Sequence, residues 1–597
     1  MLVTLLSVFV LILALTGYVL WLHVRYRIHS AIAPAVVCSI AVVFLFLSGL
    51  LNLLPHMSWF LLIGGFILLA GGLFLIRRDR DALRSFLSPG LVFFYLFFVV
   101  GSILVKDTLF FQYDHFSHWG LVVKEMERIG GLPDYSTMVG FTNYPPGSAL
   151  FLFLFVHIVG FSEPIAFIGH VFMMSAFLCV PFVFVSWKQP IALLSLLGIT
   201  VAIHSSAKHN FFELLVDPLL GYIAAASVFA FLLYQKDRRS FLITFVPFTS
   251  LLVLTKDSGK LFFVSILIYI LMYVLLEKKG SRRDWFKKKS LVVIGLVVGV
   301  TPFILDFLWK RYVDKAYPAN EVVNKFAMNR NTFLNPSKTP EFVEAFLPKM
   351  GTALIKWDLV NTRVLLSSFI AVLLVVIVIW FLKKKPPTSL LKTIAFSVGF
   401  LGFYVIMLFT MYFFLMPEAE AIRLAGFNRY MNSVVLFISL LLVVQAIITL
   451  TAVTPKIRTI LSVIMVGIFL FAVGSDLGNG IAAPVNASEL RTDLHKVYHE
   501  VKQTAAATSE DSFLVVDTSN VYSSDYIRYI IDYERSTGNN QVLSSCIERS
   551  TEEMEETLSK AQYLLSIDVS EEEAACLEDV IGMKVSGNSF YPLSKKE

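Results

Sequence analysis

Residues Lys106 to Gly147 read KDTLFFQYDHFSHWGLVVKEMERIGGLPDYSTMVGFTNYPPG, the first long polar interruption in a mostly apolar chain. An apolar span, Phe86 to Val105, runs into this stretch, and the acidic Asp114 follows just past its end. A short helical pattern, a Gly-Gly-Leu-Pro break and a Tyr-Pro-Pro-Gly turn then lead back into apolar sequence. A carboxylate beside a bilayer costs free energy and marks a functional position by default. The stretch therefore divides the chain into apolar spans and a polar working surface between them.

Composition extends that division to the whole molecule. The 597 residues are 56% hydrophobic and 16% charged, with a mean hydropathy of +0.72. Repeated apolar runs near the ~20 residues that cross a bilayer exclude a soluble globular fold and predict a polytopic α-helical membrane protein. The net charge of +6 is not a nucleic-acid footprint, because Lys and Arg fall in short clusters between spans, where they report topology. Leu2 to Leu22 lacks a basic leader and a small-residue cleavage site, so it is expected to be a retained span.

Arg25 and Arg27, then Arg77, Arg78, Arg80 and Arg84, place the first two basic turns in the cytoplasm. Asp79-Arg80-Asp81 matches the D-x-D of soluble nucleotide-sugar transferases, but no soluble domain surrounds it, so a solvated turn is expected. The loop 106–147 then lies outside. Ser148 to Gly160 is apolar but only about 13 residues long, too short to span, and is expected in or near the outer interface. Later spans alternate so that the basic turns, including Lys278 to Lys289, share one face. The path totals about 14 spans with both termini outside.

Three regions follow: additional N-terminal helices (1–85), a transmembrane core (86–475) with outer loops 106–147, 206–217, 311–360 and 417–433, and a polar tail (486–597). In the tail, helical patterns alternate with short apolar runs, Phe513 to Val516 and Tyr563 to Ile567, which predicts an extracytoplasmic α/β domain of about 110 residues. A structural or acceptor-docking role is its default. Cys38 and Cys179 lie in spans as inert core residues. Cys546 and Cys576 lie in the tail, where a disulfide and two free thiols are both open.

Chemistry concentrates at the outer loops. On a helix, Asp114 and His118 would share a face. A carboxylate there can take a proton from an acceptor hydroxyl or amine, help hold a divalent ion, or merely cap the helix that follows. Glu213 and Asp217 form a second acidic pair at helical spacing, and Asp217 before Pro218 also looks like a helix cap. Lys208 and His209 would offset that charge. Lys256, Arg423 and Arg429 sit at outer span ends. Each alone reads as a side chain reaching to headgroups; together they supply the fixed positive charge that a lipid phosphate leaving group needs, and Tyr430 adds a hydroxyl. Asp114 and Asp217 leave a divalent metal open, with no complete ligand set.

The order of these features resembles the GT-C superfamily of membrane glycosyltransferases. The early acid, Gly-Gly-Leu-Pro and Asn143-Tyr-Pro-Pro-Gly147 are similar to that superfamily's first outer loop. Val216-Asp-Pro-Leu-Leu220 resembles its second acidic loop, Leu254-Thr-Lys-Asp-Ser-Gly259 its Thr-Lys-Gly turn, and Arg429-Tyr430 its late Arg-Tyr. The closest shape is the branch of protein O-mannosyltransferases and the aminoarabinose transferase of lipid A. The resemblance spans about Phe86 to the C-terminus. It implies a GT-C-like core, Asp114 as base or acceptor-positioning carboxylate, Asp217 as second acid, and a polyprenyl-phosphate sugar donor. It also implies a cell-envelope polymer, lipid or protein as acceptor, with product formed outside the plasma membrane. His115, Asn143 and Tyr144 fall in the acceptor loop. Asn143-Tyr144 stands where the aminoarabinose pattern has a lysine, so Lys208, Lys256 or Arg429 would have to serve the phosphate.

Two other readings compete. A flippase for lipid-linked sugars should carry charges or broken helices near mid-membrane and often repeated halves; here the charges cluster at span ends and no repeat is visible. A receptor or scaffold built around the tail predicts that Asp114 is dispensable.

Overall fold

The structure, a computed structural model, describes residues 2–77, 79–206, 211–276, 289–318, 338–356, 359–474, 476, 491–492, 494–496, 511–518, 523–535, 540–586 and 589–593. Among them, ten helices are long and apolar enough to cross a membrane. Three of these, Glu163–Phe184, Asp217–Tyr234 and Phe427–Leu450, are almost wholly buried. Others, such as Leu54–Ile76 and Thr388–Leu415, expose most of their apolar surface. Helices apolar all round form the centre of a bundle when buried and need lipid against them when exposed. The chain is a multi-pass helical membrane protein. Helices also occupy the remaining expected spans, at Pro89–Val105, Pro190–Ser206, Gly259–Leu275 and Lys289–Ala316.

Local chemistry sets the helix ends. Ser88 accepts from the Leu91 N–H, and Pro89 opens the helix Pro89–Val105 at the position that needs no N–H. Asp79 accepts from the Asp81 and Ala82 N–H groups at 3.0 and 2.9 Å, so Asp79-Arg80-Asp81 is a capped turn starting the short helix Arg80–Phe86.

Gly147–Val159 packs inside the bundle: Gly147 to Val156 are all buried, against Ala33–Leu50, Glu163–Leu178 and Gly120–Ile129. Ala33–Leu50 also packs on Arg238–Thr255, so this N-terminal helix is built into the core, while Leu2–Tyr26 and Leu54–Ile76 pair beside it.

The tail forms a four-stranded sheet. Its strands are β1 (Phe513–Asp517), β2 (Asn540–Leu543), β3 (Tyr563–Ile567) and β4 (Ser589–Pro592), in the order β2-β1-β3-β4. Phe513 pairs in parallel with Asn540 and with Tyr563, and β4 closes the edge antiparallel to β3. Every residue of β1 is buried. Leu514 and Val516 face the tail's own core, whereas Phe513 and Val515 join the core that continues into the membrane helices. A central parallel strand covered on both faces has this pattern. Cys546 and Cys576 are joined in a disulfide, and Cys38 and Cys179 are free and buried.

Candidate active site

Two glycines set the course of the loop 106–147. After a π-helical turn, His115–Trp119, and the helix Gly120–Ile129, the chain reverses at Gly130 with φ +63°, a left-handed C-cap that favours glycine. At Gly147 a Cβ would stand 2.5 Å from the carbonyl oxygen of Leu254. Only glycine lets the Tyr-Pro-Pro-Gly turn close against the end of Arg238–Thr255, and that approach brings Lys256 beside the loop. Trp309 fixes the same turn by donating from Nε1 to the Asn143 carbonyl at 3.0 Å.

Residues from four separate segments then meet. Arg429 donates from Nη1 to Asp114 Oδ2, and its Nε lies 3.6 Å from Asp217 Oδ2, too long for a hydrogen bond. Lys256 Nζ donates to Asp217 Oδ1 at 2.7 Å. Arg429 and Lys256 both lie 5.2 Å from the centre of the Tyr430 ring. Arg429 Nε and Asp217 Oδ2 are buried without hydrogen-bond partners. Neither acid is a cap: Asp114 precedes the turn with no capping bond, and Asp217 is the first residue of its helix with its carboxylate turned to the cations.

The other expected residues divide. Glu213 lies in the irregular approach to the helix, not one turn before Asp217 on it, so helical spacing is not what unites the two. Gln112 donates to Glu213 at 3.1 Å. Burial, with the Asp114 and Asp217 charges adding to it, pushes the Glu213 carboxyl up to about 8. His118 lies among Trp119, Phe141 and Tyr144, and burial, with the Lys256 charge adding to it, pushes it down to about 3. His115 is also buried and pushed down to about 3. Its Nδ1 faces the N–H groups of Phe111 and Gln112, and its Nε2 faces that of Leu214; a neutral ring accepts at only one of them. That ring ties the first acidic loop to the second. Tyr144 stacks on Trp119 and Phe141. Arg423 is exposed and makes no ion pair among the described residues. Lys208 lies outside the described residues.

Beside Arg429 opens a cavity of about 300 Å³, lined by Glu213, Asn361, Asn428, Arg429, Asn432 and Asp476, among others. Sequence reasoning missed its three asparagines and Asp476, which pairs with Arg363 at 2.5 Å. Asn428 and Asn432 flank Arg429 at helical spacing, a signal that was present in the sequence.

The tail grips the same loop. Tyr526 donates its hydroxyl to the Phe111 carbonyl, and Lys124 donates to that of Tyr533. Tyr529 packs on Tyr113, and Tyr533 on Phe116. Arg491 bridges Glu163, at 2.5 Å, and Glu534.

The residues do not fit the divalent ion left open above. Asp114 and Asp217 meet through a guanidinium, which fills the place a cation would take, and no group of three His, Cys, Asp or Glu among the described residues is placed to hold a metal. Fold and site together define a multi-pass membrane protein with a partly buried cluster of paired charges gathered at helix ends. Neither a protein-family model, nor a curated protein, nor a solved structure matches the chain.

Proposed function

We propose that this protein is a GT-C-type membrane glycosyltransferase that moves a sugar from a polyprenyl-phosphate donor to a cell-envelope polymer, lipid or protein. The observation that carries the reading is Arg429 held between Asp114 and Asp217, with Lys256 on the second oxygen of Asp217, beside an open cavity of mixed polar and apolar lining. In the reaction, an acceptor oxygen bonds to the anomeric carbon as the bond from that carbon to the phosphate oxygen breaks. The electron pair leaves with polyprenyl phosphate, and the acceptor proton passes to Asp114. Arg429 and Lys256 face the charge that develops on the leaving phosphate. The phosphate competes for the guanidinium that holds Asp114, so donor binding frees the base.

The proposed setting is the plasma membrane, with about 14 spans and the site and tail outside. The tail's disulfide supports an oxidising compartment, and the placement of the basic turns supports the orientation. The charges sit at helix ends, which favours surface chemistry over transport through the bundle.

The test incubates purified protein, wild type and Asp114→Asn, with a panel of polyprenyl-phosphate sugars and source-cell membranes. Release of polyprenyl phosphate is followed with and without a chelator. Release by wild type, insensitive to chelator and reduced at least ~10²-fold in Asp114→Asn, is the expected result. No release, with labelled lipid crossing liposome bilayers instead, replaces the enzyme by a flippase.

A further inference from the structure

Resting on the transferase reading, we propose that the cavity beside Arg429 holds the donor's sugar ring, whose hydroxyl or amino groups donate to the amide oxygens of Asn361 and Asn432. Asn361 is 6% exposed. Its Nδ2 donates to the Asn428 carbonyl at 3.1 Å, which leaves Oδ1 as the free end of the amide, and that oxygen has no partner. Asn432 Oδ1 is likewise buried without a partner, on a different helix. Both residues line one cavity, and their unfilled acceptors suit a ligand rich in donors.

The chemistry narrows the ligand. An ionised phosphate brings only acceptors and a prenyl chain brings neither, so both leave the amide oxygens unfilled. A sugar ring supplies several O–H donors at once. Glu213, pushed up to about 8, carries a proton near neutral pH and can donate to a sugar oxygen. Arg429 lines the same cavity, so a sugar phosphate can place its phosphate on the guanidinium and its ring against the asparagines. The volume of about 300 Å³ lies at the lower end of small-ligand pockets and suits one monosaccharide. The aromatic cavity that His118 lines offers no rival site, because at about 10 Å³ it is the size of one water.

The experiment measures binding to the full chain in lipid nanodiscs. One probe is short-chain prenyl phosphate; the others are the same lipid carrying a hexose, a pentose or an aminopentose. Asn361→Ala and Asn432→Leu are expected to weaken the best sugar-bearing probe by about tenfold while leaving prenyl phosphate within about twofold of wild type. Asn432→Asp, which keeps an acceptor, is expected to lose less than Asn432→Leu. Equal loss for both probes, or no loss, overturns the proposal. The Asn432 oxygen has no partner to lose, so Asn432→Leu decides if Asn361→Ala melts early. A wild type that binds none of the probes removes the transferase reading itself. A wild type that binds the sugar lipid as its variants do removes only the sugar site.

Discussion

Arg429 donates to the carboxylate of Asp114 across 315 residues of chain. One follows an early apolar span and the other opens a late one. Their contact, with Asp217 on the far side of the same guanidinium, turns three span ends into one centre. A lysine at 429 would keep the charge but not the planar fork that reaches two carboxylates.

The Asp217–Lys256 pair is buried, with side chains 3% and 12% exposed. Breaking such a pair from one side strands the other charge and costs about 3–5 kcal/mol. Asp217→Asn should therefore lower the melting temperature and strongly reduce activity. Adding Lys256→Met should recover much of the stability and none of the turnover. A double-mutant cycle of melting and turnover checks both, and additive stability losses would dissolve the pair.

Stability should fall as pH rises past Glu213's ordinary range. This carboxyl ionises near 4.5 in the unfolded chain and only near 8 in the fold. Between those values the native state holds the extra proton, so each rise in pH favours unfolding. Glu213→Gln should match wild type near pH 4.5 and melt higher at pH 8 and above. Parallel melting curves across that window would refute it.

Arg491→Met should loosen the tail from the loop that carries Asp114. It leaves Glu163 and Glu534 facing one another and removes a cation from the Phe116 and Tyr533 rings. Turnover is expected to drop by about tenfold, and the tail should become sensitive to limited proteolysis. Wild-type activity with a protease-sensitive tail would show that docking is irrelevant to chemistry.

Cys546→Ser should destabilise the tail by about 2–4 kcal/mol, because the disulfide closes a loop with a sequence separation of 30. Hydrogen exchange in β1 and β3 reads the change, and exchange equal to wild type would assign the bond no stabilising role.

Much of this was legible from the residues. Apolar length and basic turns located the helices, and the short apolar runs Phe513–Val516 and Tyr563–Ile567 located β1 and β3. Asp114, Asp217, Lys256 and Arg429 stood out because charge beside a bilayer is costly. Asn361 and Asn432 did not, since an uncharged amide at a span end looks like any polar boundary. Arg491 and Glu163 were hidden by 328 residues of separation. The burial of Gly147–Val159 was not legible, because length argues for or against crossing and carries no information about packing inside a bundle.

The grip of the tail on the first loop also fixes an order of assembly. Phe111 and Lys124 emerge early in synthesis, and the residues that hold them, Tyr526 and Tyr533, follow 415 and 409 positions later. The apolar helices before the tail can all be made while the loop still lacks its clamp. Under the proposed transferase activity, a nascent chain therefore stays inactive until the tail has folded against the loop, so a segment made late gates one made early.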